Sequence, residues 1–253
     1  MHRQWVLAAA LMALTVGPAA AQTDSTAAPA PGAARLHTPL AYDPYYVLPG
    51  APRTMGFDAG LNNTDLGSLA DASDVFAMAK YAVNQRLEVG ARATFGSLRD
   101  GGRSFSSAVV GAKLALGEKR VLTGHLKAPL GDREKLGLSV GMMQSMEMGT
   151  MPVDAAVQIG MLKGYADEGV VFEVLIEPSK VLNEKTVGYL DVSVEGATEQ
   201  FGDELNIDLR PYLDYTVQPG LVVSGGVNLN LYNGVKRWSE VGLRLTVIKT
   251  VGD

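Results

Sequence analysis

Glu204–Lys249 reads ELNIDLRPYLDYTVQPGLVVSGGVNLNLYNGVKRWSEVGLRLTVIK. Leu205, Ile207 and Leu209 alternate with Asn206, Asp208 and Arg210. After Gln218-Pro219-Gly220, Leu221, Val223, Val227, Leu229 and Leu231 alternate with Ser224, Gly226, Asn228 and Asn230. After Asn233-Gly234, Val241, Leu243, Leu245 and Val247 alternate with Glu240, Gly242, Arg244 and Thr246. Successive side chains of a strand point to opposite faces, so each segment has one apolar and one polar face. Long strands of this kind, separated by turn residues, fit a wall between lipid and water.

The same unit repeats back toward residue 53. The period-2 pattern and turn residues predict twelve strands. The first nine are Thr54–Asn62, Asp74–Val83, Arg86–Gly96, Ser104–Leu116, Val121–Leu130, Lys135–Met146, Pro152–Leu162, Gly169–Glu177 and Thr186–Glu195. The stretch quoted first supplies the last three. An even strand number suits a single-chain barrel with both ends on one side. Short links, such as Asn84-Gln85 and Gly117-Glu118-Lys119, alternate with longer polar ones, such as Asn63–Ser73 and Gly196–Asp203. That is the pattern of periplasmic turns and extracellular loops. Pro178–Lys185 is expected to break it, as a long link on the short side. Pro211 cannot donate to a ladder and is expected to mark a bulge.

Composition narrows the class. The chain has 253 residues and is 47% hydrophobic, too apolar for disorder. With no Cys there is no disulfide framework, no thiolate metal site and no Cys nucleophile. A net charge of −5 leaves no electrostatic footprint for nucleic acid. Met1–Ala21 combines His2 and Arg3, the apolar run Trp5–Val16 and Pro18-Ala19-Ala20-Ala21, which reads as a secretory signal peptide. Residues 22–52 form an N-terminal segment whose Ala/Pro/Ser/Thr-rich part, Thr23–Ala34, is expected to be a flexible tether. Tyr42, Tyr45 and Tyr46 follow among prolines. The expected place for them is the barrel rim, where tyrosines suit an interface. A small plug or partner-docking segment is the alternative. Residues 53–253 form the barrel.

With the chain so read, it resembles bacterial outer-membrane β-barrels over Thr54–Lys249. The last strand, with Glu240, Gly242, Leu245 and Val247, matches the spacing of that class's C-terminal assembly signal. It departs from it by ending Thr250-Val251-Gly252-Asp253 rather than on an aromatic residue. The Gly-rich, aromatic-poor strands are similar to small transporter-type barrels, such as those grouped with the phenol-degradation pathway. The resemblance implies an all-β transmembrane barrel in the outer membrane, with membrane lipid and the barrel assembly machinery as partners. It also implies a pore or transporter for small solutes. A structural or surface-interaction barrel with a blocked lumen is the alternative, and a periplasmic β-sandwich a further one.

Assigning the apolar parity to lipid turns a set of charges inward. Early strands contribute Lys80, Arg86, Arg92, Lys113 and Lys127, and later ones Asp154, Glu173, Asp191, Glu195, Asp208 and Asp214. Glu88, Arg210 and Arg244 depart from this split. With Glu240 these charges supply the pore-lining candidates: Arg86, Glu88, Arg92, Lys113, Lys127, Asp191, Asp208, Arg210, Asp214, Glu240 and Arg244. A field across a water-filled lumen would orient polar solutes. Mutual pairing that fills a narrow barrel is the competing reading. No metal or other cofactor is expected, because His37 and His125 are the only histidines after signal cleavage. His125 shares its face with Thr123 and Lys127 and shows no Ser–His arrangement, so no catalytic residue is expected. Met142, Met146 and Met148 share the lipid-side parity of Leu138 and Val140, so the Met-rich run reads as lipid-facing rather than a soft-metal site.

Overall fold

The computed structural model describes residues 40–42, 49–63, 66, 73–95, 105–128, 135–162, 169–198, 205–233 and 237–252. The expected signal peptide and tether, with Tyr45 and Tyr46, lie outside the described residues. Twelve antiparallel strands follow one another: β1 Met55–Asn63, β2 Ser73–Ala82, β3 Leu87–Phe95, β4 Phe105–Ala115, β5 Arg120–Ala128, β6 Gly137–Met148, β7 Met151–Met161, β8 Val171–Asn183, β9 Thr186–Ala197, β10 Asn206–Gln218, β11 Leu221–Asn233 and β12 Arg237–Val251. Each pairs with its sequence neighbours, and β12 pairs with β1 from Met55↔Val251 to Asn63↔Leu243. The sheet therefore closes into a barrel. Closure pairs what would otherwise be two edges, the condition for placing a sheet in hydrocarbon.

One end of the barrel carries tight turns. They lie between β2 and β3, β4 and β5, β6 and β7, β8 and β9, and β10 and β11. Asn84 Oδ1 accepts from the backbone of Arg86 and Leu87 at 2.8 and 3.0 Å, an Asx turn that fixes the first. Gly220, at φ 73°, closes the last, and a Cβ there would meet the Thr250 carbonyl at 2.7 Å. The opposite end carries the longer links, except that only 234–236 join β11 to β12.

Two expectations about prolines are corrected. Pro178 does not open a long link: β8 runs on to Asn183, with Ser179, Lys180 and Val181 paired to Tyr189, Gly188 and Val187. The turn is Glu184-Lys185, so this position is short, like its neighbours. Pro211 makes no bulge. It faces Leu190 in an unbroken β9–β10 register, and the irregularities of β10 against β11 fall at Ile207/Asp208 and Thr216/Gln218. A proline needs no extra residue where the ladder can skip one bond, and no pairing to β11 is made between Leu209 and Tyr212.

The face assignment follows the sequence. Leu122, Leu126, Val140, Met142, Leu243, Leu245 and Val247 point outward and are exposed, Leu245 at 53%. The inward residues between them, including Thr123, His125, Lys127, Ser139, Arg244 and Thr246, are buried. The inner face is not uniformly polar. Val121, Met143, Ala156, Leu175, Val222 and Ile248 also point inward and form one apolar cluster with Tyr42, Tyr189 and Tyr212.

Candidate functional site

The candidate site is the barrel interior, and its first component comes from outside the barrel strands. Leu40, Ala41 and Tyr42 are buried inside the lumen. This corrects the expected rim position of Tyr42. Following the register from β1 round to β9 gives one inward row: Gly56, Lys80, Gly90, Gly111, His125, Ser139, Gly160, Val171 and Ala197. Most of these side chains are small or absent, so the row is a track across the wall. The segment lies along it. The Tyr42 ring covers Gly90, where a Cβ would come within 2.4 Å of it. It meets His125 edge-on at 5.3 Å. The Leu40 carbonyl accepts from Ser139 Oγ, and the Leu40 side chain packs on Val171 and Ala197.

Other inward glycines are covered from within the wall. Phe76 covers Gly60, His125 covers Gly111, Gln158 covers Gly141 and Tyr212 covers Gly226, each from the directly opposite position on the next strand. Gly90 is covered instead by a residue of the N-terminal segment.

Glu88 explains its own departure from the basic arc. The Tyr42 phenol donates to its Oε1 at 2.9 Å, the Gly50 N–H points to its Oε2 at 3.4 Å, and Lys113 Nζ lies 3.9 Å away. One carboxylate thus holds the segment at two points along its length. Lys80, Arg92, Lys113 and Lys127 are buried on the same arc, with the Arg92 guanidinium 4.4 Å over the Phe76 ring.

Arg210 plays the matching part on the far wall. Its Nη2 lies 2.7 Å from Asp208 and 3.8 Å from Glu195, and its Nη1 3.2 Å from Asp191. Asn230 Nδ2 donates to the other Asp208 oxygen at 2.9 Å. Glu173, Glu177 and Asp214 are buried on the same arc. Arg244 stacks 4.4 Å over the Tyr212 ring, Tyr212 stacks on Tyr189 at 4.7 Å, and its hydroxyl donates to Glu177 at 2.7 Å. Below this layer, at the tight-turn end, a cavity of about 560 Å³ opens between Ala51, Thr54, Tyr189, Asp214, Thr216 and Ile248.

The structure thus gathers Glu88, Arg92, Lys113 and Lys127 on one arc and Asp191, Asp208, Arg210 and Asp214 on another, with Arg244 between them on β12. Arg86 is not among them. It precedes β3, is exposed, and turns its Nε toward the Ala115 carbonyl at 3.4 Å. The side chain of Glu240 lies outside the described residues. Ser139 faces His125 across the β5–β6 ladder, but its hydroxyl is given to the Leu40 carbonyl. Sequence reasoning missed Leu40, Ser139 and the glycine track. The track's signal is a small inward residue on most strands of the row, but it emerges only when the strand registers are known.

No family model and no curated protein matches the chain. Solved structures do. An outer-membrane channel from Pseudomonas putida F1 aligns with a TM-score of 0.60 at 13% identity, covering 81% of this chain and 98% of that one. The chain has an outer-membrane porin-type barrel fold. Two further porin-type barrels agree: the NanC porin at a TM-score of 0.56 and 9% identity, covering 76% and 98%, and the KdgM porin at 0.54 and 6%, covering 78% and 99%. These porin-type structures share the fold across nearly their whole length. At such identities they carry no side-chain correspondence to this lumen.

Proposed function

We infer that the protein is an outer-membrane channel for small polar solutes, with Leu40, Ala41 and Tyr42 as a resident occupant of its lumen. The observation that carries this reading is the division of the inner wall. Lys80, Arg92, Lys113 and Lys127 lie on β2 to β5, and Asp154, Glu173, Glu177, Asp191, Glu195, Asp208 and Asp214 on β7 to β10, with Asp58, Glu88 and Arg210 as the inward exceptions. A wall built only for packing gains nothing from an excess of one sign on each arc, since buried charges are costly unless paired and Glu88 and Arg210 offset only part of each excess. A wall that lets solutes pass gains a transverse field. The signal-peptide reading of Met1–Ala21 and the barrel fold support an outer-membrane location for this channel, and delivery by the barrel assembly machinery with the tight turns toward the periplasm belongs to the same proposal. The porin-type structures support this at the level of fold. A transporter of the phenol-degradation type is a finer form of the same reading and rests on strand texture.

A second reading has its own support. The inward cluster of Val121, Met143, Leu175, Val222 and Ile248 joins Tyr42 in one apolar core, as a structural barrel with a filled lumen would have it. Liposome swelling separates the two. Vesicles holding the purified full-length protein are placed in isotonic solutions of neutral sugars and polyols of graded size. Swelling that falls with solute size supports the channel. No swelling, either for the wild type or for a Gly90→Val variant that unseats the segment, leaves the structural barrel.

A further inference from the structure

Glu173 and Glu195 stand directly opposite each other on β8 and β9, both facing inward. Like charges at directly opposed positions repel, so neighbouring strands ordinarily avoid them. The pair lies among more of the same sign, with Asp208 and Asp191 on the adjoining stretches of β10 and β9. Arg210 is within ion-pair distance of Asp191, Asp208 and Glu195. Glu173 is the residue left over. It is 2% exposed, and among the described residues neither of its carboxylate oxygens accepts a hydrogen bond. A buried carboxylate beside a second one is stabilised by a donor that carries positive charge.

Resting on the channel reading, we propose that Glu173 and Glu195, backed by Asp208 and Asp191, form a binding subsite for the ammonium group of a small organic cation. An ammonium has three donors and no acceptor, so one such group can bridge two facing carboxylates. A metal ion fits less well, since no group of three or more metal-ligating side chains converges among the described residues. Arg210 occupies one side of the cluster, which leaves the Glu173 side as the place for the incoming cation. Its surplus of negative charge turns away carboxylate and phosphate solutes of the same size.

The test uses the full-length protein, folded in detergent micelles and then in bilayers, with 1,4-diaminobutane as the probe and glutarate as the anionic counterpart. Calorimetric titration is expected to show diaminobutane binding that weakens with added salt, and no glutarate binding. Glu173→Gln and Glu195→Gln keep the shape of the site and are each expected to weaken binding at least about tenfold. Glu184→Gln, in the β8–β9 turn, is expected to bind as the wild type does. Heat-modifiability on gels verifies that each variant is folded, and the wild-type titration alone can refute the proposal. No binding of diaminobutane to the wild type overturns the subsite, as does binding that both Gln variants retain. Failure of the channel reading looks different: diaminobutane binds and the Gln variants lose it, yet no variant conducts. A conducting protein without diaminobutane binding keeps the channel and discards the subsite.

Discussion

Glu88 and Tyr42 are joined by a 2.9 Å hydrogen bond from the phenol to the carboxylate, buried inside the barrel and spanning residues far apart in the chain. This contact fixes the N-terminal segment to β3. A buried hydrogen bond to a charged group contributes about 1.5–3 kcal/mol. Tyr42→Phe keeps the ring on Gly90 and removes only that bond. It is expected to raise the undocked population of the segment by roughly tenfold or more, read as faster limited proteolysis before residue 53 with the barrel intact. An unchanged cleavage rate would show that the bond does not hold the segment.

Gly90 tests the seat from the other side. A Cβ there would meet the Tyr42 ring at 2.4 Å, so Gly90→Val and the docked segment exclude each other. The variant is expected to keep its folded, heat-modifiable barrel while liposome swelling becomes faster. Unfolding of the barrel would mean that the segment is part of its core rather than a guest in it.

Gly226 and Gly124 make a matched pair. A Cβ at Gly226 would lie 2.4 Å from Tyr212 Cβ and 2.6 Å from the Pro211 carbonyl, neither of which can swing away. Gly124 meets nothing within 4 Å. Gly226→Ala is expected to cost about 1–3 kcal/mol in urea unfolding from micelles. Gly124→Ala is expected to be neutral or slightly stabilising, because Gly is the more costly residue to order. Equal midpoints for the two would refute the packing of Tyr212 over its glycine.

Arg210 is the counter-charge for three acids. Arg210→Met leaves Asp191, Asp208 and Glu195 facing one another, and breaking a buried pair in this way costs about 3–5 kcal/mol. A large drop in unfolding midpoint is expected, partly restored when Asp208→Asn is added. A single variant as stable as the wild type would show that these acids are hydrated rather than held by the guanidinium.

The outward apolar face, proposed to meet lipid, has its own check. Leu245, outward and half exposed, is expected to tolerate Met but not Arg, which costs about 2–4 kcal/mol near the bilayer midplane. The comparison is folding yield into lipid vesicles. A Leu245→Arg chain that folds as well as the wild type would argue against a lipid-facing position.

Much of this was legible in the sequence, because period-2 alternation acts within one strand. Leu122 and Leu126 against Thr123, His125 and Lys127 gave both faces of β5 without any partner. Statements that needed two strands at once were harder. The track under residues 40–42 depends on Gly90, Gly111, Ser139 and Gly160 falling in one register, which no single segment reveals. The seat of Tyr42 was hidden for the same reason, since its partners lie on β3, β4 and β5. The inward apolar residues Val121, Met143 and Ile248 were masked by parity reasoning that treats the inner face as polar throughout. Proline misled at 178 and 211, where a closed ladder tolerates one missing donor. Arg86 shared the inward parity of Glu88 but stands in the turn before the strand begins.

The most direct measurement is planar-bilayer conductance of the purified full-length protein beside Gly90→Val, in a salt gradient. Discrete openings that become larger or more frequent in Gly90→Val are expected, with a reversal potential on the cation-selective side. Silence from both proteins, each shown to be folded and inserted, would contradict the channel.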